Sequence, residues 1–394
     1  MTDNIPFNKP AITGKEIEYI SDAIASGRIG AGGPYTNRCA SLLEDLFAIN
    51  KVLLTPSATA ALEMAAMLCA LEPGDEVIMP SFTFVSTANA VARMGARPVF
   101  VEIRSDTLNI DETLIEKAIT DRTKAIFPVH YAAVSCDMDT IKEIASRRGL
   151  MVVEDAAQAV NAFYKDRALG SLGHLGAYSF HDTKNYVCGE GGALCVNSPE
   201  LMERAEIIRE KGTNRGKFLR GEVDKYTWVD IGSSFIPSEI ACAFLLAQLE
   251  TVHSLTEKRR GVFDFYCESL KPLEEARLLR LPVIPAHCST NYHMFYILLP
   301  DGPTRNELMA HLKRCGISSV FHYVPLHTSP MGARYGCTAG DLPLTENLSE
   351  RLLRLPCFAG IGEGDMTRVV SEVSSFLEAR ALTNRPAGPA GFSG

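Results

Sequence analysis

Residues 51–80, KVLLTPSATAALEMAAMLCALEPGDEVIMP, carry the pattern on which the fold turns. KVLLT is a short apolar run of strand length, and ATAALEMAAMLCAL is an apolar helix that PGD terminates. EVIMP then reads as a second strand with no polar alternation, so both of its faces are buried. Moving outward, FVSTANAVARMG reads as a helix and RPVFVEI as a strand. TKAIFPVH and LMVVED are further strands, with a helix at about 139–148 between them. Strands alternating with helices predict an α/β chain: a mostly parallel sheet with helices on both faces. No Pro/Gly/Ser linker breaks this region into separate modules.

The flanks complete the outline. Residues 15–26 and 36–48 read as helices around the glycine-rich GRIGAGGP. A long helix-favouring stretch at 237–269 leads out of the sheet region. Beyond it HMFYILLP, a helix near 304–315 and ISSVFHYV suggest a smaller C-terminal α/β unit. The expected division is 1–250 for a large domain with its N-terminal segment, 251–382 for the small domain, and 383–394 for a Gly/Pro-rich disordered tail.

With 46% hydrophobic and 22% charged residues, the 394-residue chain has a globular composition. A formal charge of −8 gives no case for a nucleic-acid or anionic membrane surface. The eleven cysteines are odd in number and scattered, without CxxC or Cys/His zinc spacing. They read as reduced thiols, and no metal is expected. The N-terminus lacks a basic segment followed by an apolar core, and no apolar stretch reaches membrane-spanning length. The expected location is the cytoplasm.

Four features fall at expected carboxyl ends of strands, where ligands sit in doubly wound sheets. Asp155 closes LMVVED, with Gln158 one expected helical turn on. It is either a helix N-cap for AAQAV or a counter-ion to a protonated heterocycle. Thr55-Pro56-Ser57-Ala58-Thr59 opens a helix with hydroxyls and free N–H groups, a pattern common to ordinary caps and phosphate sites. Phe84 follows EVIMP and is either core or a stacking surface for a planar ring. SFHDTKNYVCGEGGAL (179–194) holds Ser179, then Lys184 among aromatics, then a glycine cluster that permits tight turning. Alone, each has an ordinary structural reading. Together they supply a phosphate cradle, a stacking ring, a pyridinium partner and an amine, the parts that pyridoxal phosphate requires.

The strings SFHDTKNYVCGEGGAL, VVEDAAQA and PSFTFVSTANA resemble the DegT/DnrJ/EryC1/StrS family of sugar aminotransferases, and the resemblance runs from IPFNKP to about residue 379. It implies an aspartate-aminotransferase-like (PLP fold type I) architecture and a homodimer with active sites at the interface. It further implies a Schiff-base lysine at Lys184, a pyridinium contact at Asp155, and a ring-oxygen contact at Gln158. Stacking falls to Phe84, and phosphate contacts to Ala58 (backbone), Thr59 and Ser179. Two positions depart from the family pattern: Ala58 stands where glycine is common, and Ile236 where an asparagine from the neighbouring subunit is common.

KVLLTPS, EIIREKGTNR, VDKYTW and DIGSS are similar to members that aminate C4 of dTDP-4-keto-6-deoxyglucose with L-glutamate. The implied product is dTDP-4-amino-4,6-dideoxygalactose, for lipopolysaccharide or related surface polysaccharide. Rival readings are a different keto-sugar (3-keto or UDP-linked) and a regulator without turnover. Sugar dehydratases of this fold typically carry histidine in place of the lysine, so Lys184 argues against dehydration. For substrate contacts, EKGTNRGKF offers Arg215 beside Lys211 and Asn214. FHYVPLH offers Tyr323 and His327, with His322, at a strand end; His181 sits near Lys184. Solvated loop charge and core packing are their ordinary alternatives.

Overall fold

A computed structural model describes residues 4–383. Twelve strands are present among these residues: β1 (Lys51–Thr55), β2 (Glu76–Pro80), β3 (Arg97–Val101), β4 (Thr123–Ile126), β5 (Met151–Asp155), β6 (Phe163–Tyr164), β7 (Arg167–Ala168), β8 (Leu175–Ser179), β9 (Gly192–Val196), β10 (Cys288–Ser289), β11 (Phe295–Leu298) and β12 (Leu352–Leu355). Seven form the main sheet in the order β1-β9-β8-β5-β4-β2-β3. All its pairings are parallel except those of β9, which runs against both neighbours. The mostly parallel sheet read from residues 51–155 is therefore present.

Side chains alternate across this sheet. Val52, Leu54, Ile78, Ile126, Val152, Ala193 and Cys195 enter one apolar cluster, packed with the helices Pro34–Phe47 and Glu239–Leu249. Leu53, Val77, Met79, Ala125, Val153 and Leu194 enter the opposite cluster, with the helix Ala58–Leu68. Strand period two places adjacent residues on opposite faces, and here both faces are covered. That is why these strands read as unbroken apolar runs.

β11 and β12 pair antiparallel and carry a separate apolar cluster with the helices Val252–Glu275, Gly302–Arg314 and Glu363–Thr383. Ile5 joins that cluster, and its backbone bonds to Gly316 and Ser318. The N-terminal segment thus belongs to the packing of the C-terminal part. A further cluster, including Phe82, Tyr131, Tyr296 and Leu352, joins the β11–β12 unit to the main sheet.

Several local expectations are corrected. The stretch 237–269 is not one helix: it breaks at Glu250 and Thr251 into Glu239–Leu249 and Val252–Glu275. ISSVFHYV forms no strand beyond isolated bridges from Ile317 to Ile5 and from Val320 to Arg354. AAQAV is not helical, so Asp155 is no helix cap and Gln158 is not one helical turn away. Thr383 ends a helix; the rest of the expected tail, 384–394, lies outside the described residues. All eleven cysteines are free thiols. Among the described residues, no helix is long and apolar enough to cross a membrane.

Candidate active site

A cleft of about 670 Å³ opens at the carboxyl ends of β1, β2, β5 and β8. Its lining brings together Ala58, Thr59, Phe84, Asp155, Gln158, Ser179, Lys184 and Tyr323. These are seven cofactor-contact residues and one substrate-contact residue expected from sequence.

Lys184 lies in the segment between β8 and β9. Its neighbours hold that segment in place: Asn185 Nδ2 donates to the Asn291 carbonyl at 2.7 Å, and Tyr186 OH meets Thr256 Oγ1 at 2.5 Å. Gly189, at φ +83°, allows the chain to turn back. Nζ makes no hydrogen bond or ion pair among the described residues. Burial pushes the Lys184 pKa down to about 8; Asp155 opposes this and Arg354 adds to it. A lysine in this state gives up its proton, and so becomes a nucleophile, more readily than a solvated one.

Asp155 ends β5 and is buried. Oδ2 accepts from Thr87 Oγ1 at 2.7 Å and Oδ1 from the Ala157 amide at 3.2 Å. No cation of the chain pairs with it among the described residues. A buried carboxylate with two neutral donors still favours a positive group beside it. Gln158 Oε1 accepts from the Ala132 amide at 2.7 Å, and Nε2 donates to Tyr323 OH at 3.0 Å. The amide is thus fixed without being helical.

The opposite end of the cleft is neutral and rich in donors. Ser57 caps the helix Ala58–Leu68, its Oγ accepting from the Ala60 amide at 3.1 Å. The Ala58 and Thr59 amides fall in the first turn, where a helix has no intrahelical partner to offer. Thr59 Oγ1 lies 2.7 Å from Ser86 Oγ, and Ser179 ends β8 close by. Gly192 makes this packing possible: a Cβ there would stand 2.4 Å from Ala58 N and 2.3 Å from Ser57 C. The close approach is thus provided by a glycine on the neighbouring strand, while residue 58 itself is alanine. Phe84, 56% exposed, forms a wall whose ring centroid lies 6.3 Å from that of Tyr323.

A phosphate at the donor-rich end, a ring nitrogen at Asp155 and a carbonyl at Lys184 describe pyridoxal phosphate, and the residues present fit it. The unpaired buried carboxylate and the close-packed cradle are the observations that carry this fit.

Two expected substrate residues are not brought to the cleft. His327 is buried with both ring nitrogens engaged, Nδ1 2.7 Å from Ser81 Oγ and Nε2 2.9 Å from Glu346 Oε1. It ties the loop after Val320 to the end of β2, so it is a packing residue. Arg215 opens a short helix away from the cleft and donates to Glu210 Oε1 at 2.7 Å. Asn214 Oδ1 accepts from the Thr227 amide at 2.7 Å, and Lys211 lies near Glu210. Ile236 does not line the cleft of a single chain either. His181 does line it, with Nδ1 2.8 Å from Thr183 Oγ1.

The structure adds residues that sequence reasoning missed: Phe7, Asn8, Ser86, His293 and Arg354, together with His322, which sequence had named without a role. Burial holds the pKa values of both His293 and His322 well below the ordinary histidine value, and Lys184 and Arg354 add to this. Both rings are neutral at pH 7. The one available signal for Arg354 was a guanidinium inside the apolar run LLRLP. Outside the cleft, His311, Cys315 and Glu372 also come within 4.8 Å of one another, a grouping that linear spacing did not show.

Comparison with known proteins addresses the family and the cofactor. A curated relative named "Pleiotropic regulatory protein", from Geobacillus stearothermophilus, is 38% identical over 318 residues, 80% of this chain and 82% of its own. The structure of S. venezuelae DesV in complex with a ketimine intermediate superposes at TM-score 0.87 with 32% identity, covering 96% of this chain and 99% of that one. The PLP form of the putative sugar aminotransferase Spr1654 from Streptococcus pneumoniae gives TM-score 0.88 at 26% identity, covering 95% and 99%. A family model matches residues 10–374, nearly the whole length that carries the sheet and the cleft. The chain therefore belongs to the DegT/DnrJ/EryC1/StrS aminotransferase family, and its cofactor is pyridoxal phosphate.

Proposed function

We propose that the protein transfers the amino group of L-glutamate to C4 of dTDP-4-keto-6-deoxyglucose, giving 2-oxoglutarate and dTDP-4-amino-4,6-dideoxygalactose for surface polysaccharide synthesis. The observation that carries the transamination is the pairing, in one cleft, of an unpartnered Lys184 amine with an unpaired Asp155 carboxylate. The cofactor supplies an electron sink for a carbanion next to its bound amine. Everything else falls to the chain. Asp155 holds a proton on the ring nitrogen, with Thr87 orienting the carboxylate. The Ala58 and Thr59 amides and the hydroxyls of Thr59, Ser86 and Ser179 hold the phosphate. Phe84 covers the ring face, and Gln158 Nε2 serves the ring oxygen. Lys184 Nζ, released when the donor amine takes its place, would move a proton between the donor α-carbon and the cofactor carbon on the other side of the bridging nitrogen. On the sugar half-reaction it runs the same transfer in reverse. Tyr323, with its hydroxyl fixed by Gln158, lines the same cleft and is our candidate for a contact with the sugar.

The sugar and nucleotide rest on the likeness of KVLLTPS, PSFTFVSTANA and EKGTNR, and the galacto configuration on that likeness alone. We further propose that the chain acts as two domains divided near residue 250, with the segment at Ile5 packed on the C-terminal one rather than on the sheet as expected, and that the enzyme is a homodimer. In support, Leu219, Tyr226, Trp228, Val229 and Ile231 are exposed together on one segment, Trp228 to 76%. A second copy covering that segment accounts for it. The regulatory name of the curated relative favours a second reading, binding without turnover. Incubation with L-glutamate and dTDP-4-keto-6-deoxyglucose decides: 2-oxoglutarate and an axial C4 amine by NMR are expected. An equatorial amine overturns only the configuration, and amination only of 3-keto or UDP-linked sugars overturns the substrate. Absence of 2-oxoglutarate with every keto-sugar favours the regulatory reading.

A further inference from the structure

The buried charges of the cleft do not balance. Among the described residues that line it, Lys184 and Arg354 are cations without an ion pair and Asp155 is a buried carboxylate without one, while Glu190 is an exposed carboxylate at the rim beside His181. In the reading above, Lys184 binds the cofactor, Asp155 serves the ring nitrogen, and the phosphate lies in the neutral cradle at the ends of β1 and β8. Arg354 is left over. It projects from β12, whose neighbours Leu353 and Leu355 are buried in the second core. Its Nε is buried without a hydrogen-bond partner, and no ion pair reaches its guanidinium. One face rests 4.7 Å from the ring centroid of Phe7. Phe7 is held in turn by the bonds of Ile5 to Gly316 and Ser318, and by Asn8 Nδ2 donating to the Asp182 carbonyl at 3.2 Å. A guanidinium stacked on one face keeps its edge donors free for a planar anion. The neutral His293 and His322 nearby offer no competing positive charge.

We propose that Arg354, braced by Phe7, docks a carboxylate of the amino-acid donor. Two anions enter this cleft in the proposed reaction, and connectivity separates them. The donor's carboxylate is bonded to the carbon bearing the reacting nitrogen, so it arrives beside Lys184, whose charge Arg354 senses. The diphosphate of a nucleotide sugar is separated from C4 by the width of the sugar ring and lies further out. Arg354 therefore selects the donor, and it contributes to the first half-reaction only. The inference rests on the transaminase reading but not on the identity of the sugar.

The test uses holoenzyme with intact cofactor absorbance, as wild type, Arg354→Met, Arg354→Lys and Phe7→Leu. Succinate, a dicarboxylate with no amine, is titrated against the absorbance of the Lys184-bound cofactor. The half-reaction with L-glutamate and the reverse half-reaction with the amino-sugar are then followed separately. Loss of charge-assisted hydrogen bonds predicts a rise of roughly 10- to 100-fold in the apparent Kd for succinate and glutamate in Arg354→Met. Arg354→Lys recovers part of the loss. Phe7→Leu raises the Kd by about two- to five-fold, the weight of one cation–π contact. The amino-sugar half-reaction stays within about two-fold of wild type in every variant, within the spread expected of an uninvolved site. Unchanged glutamate and succinate binding in Arg354→Met overturns the proposal, as does failure of succinate to bind wild type. Loss confined to the amino-sugar half assigns Arg354 to the diphosphate and also overturns it. Normal glutamate consumption with no amination of the dTDP-sugar overturns the substrate proposal while leaving Arg354 in its role.

Discussion

Glu154 and Asp155 are adjacent carboxylates at the end of one strand, and their environments are opposite. Glu154 points to the sheet face away from the cleft and is fully buried. It accepts from the amides of Gly170 at 2.8 Å, Leu172 at 2.7 Å and Gly173 at 2.6 Å, with His130 Nε2 at 2.8 Å. Burial pushes its pKa up, but His130 and the glycine amides outweigh it and hold the carboxyl below its ordinary value. Asp155 has one hydroxyl, one amide and no cation. One carboxylate has been satisfied by the fold; the other has been left for a ligand. Burial alone does not mark a functional acid, because both are buried. What marks it is unused bonding capacity on a surface that faces a cleft.

Four measurements test this contrast. The largest effect belongs to the cleft's own amine: Lys184→Met is expected to lower turnover by about ten-thousand-fold, the upper range for loss of a proton-transfer group. The variant should stay folded, with a midpoint no lower than wild type, and borohydride should no longer fix the cofactor to the chain. Wild-type turnover in this variant removes the cleft from the reaction. Next is the satisfied carboxylate. Glu154→Ala strands three amides and His130, and unfolding in urea should show a loss of about 3–5 kcal/mol. A small loss means that water enters and replaces the carboxylate, and the contrast weakens.

Asp155→Asn comes third and must behave in the opposite way. Removing a charge-assisted contact worth about 1.5–3 kcal/mol lowers kcat by roughly 10- to 100-fold. The urea midpoint should be unchanged or raised, since a buried unpaired charge is gone. Unfolding like that of Glu154→Ala would make Asp155 structural too. The smallest effect is one of pH. Lys184 binds its proton less tightly in the folded, cofactor-free protein than in the unfolded chain, with a pKa of about 8 against 10.5. Its destabilising contribution is full below about pH 8 and fades as pH rises toward 10.5. Cofactor-free Lys184→Met should therefore melt higher than wild type at pH 7, with the difference shrinking between pH 8 and 10.5. A difference that grows over that range contradicts the lowered pKa.

Legibility in the sequence followed the range of the interactions. Strands 51–55, 76–80, 97–101 and 151–155 were readable because burial on both faces writes itself as local apolar runs. Asp155 and the Ser57–Thr59 turn were readable because each lies at the end of such a run, and Lys184 because it sits in the short segment between two of them. The helical reading of AAQAV failed because the Asp155–Gln158 segment is held by long-range partners, the Ala132 amide and Tyr323. His327 was misassigned for a related reason. Its two partners, Ser81 and Glu346, lie far away in sequence, and they hold it in the packing outside the lining of the cleft.

The α/β alternation, the family and the chemical class could be read without coordinates, because periodicity, turn residues and the segments flanking Lys184 are local features of the chain. Which polar groups remain unspent depended on the folded chain. Glu154 and Asp155 are one residue apart and chemically alike, yet three amides from residues 170–173 settle one and not the other. Gly192 and the Ser57–Ala58 backbone meet across two strands far apart in sequence. Arg354 and Phe7 meet from opposite ends of the chain. Such pairings depend on the packing of strands and on the twist and stacking that bring distant residues together. No window of sequence contains them.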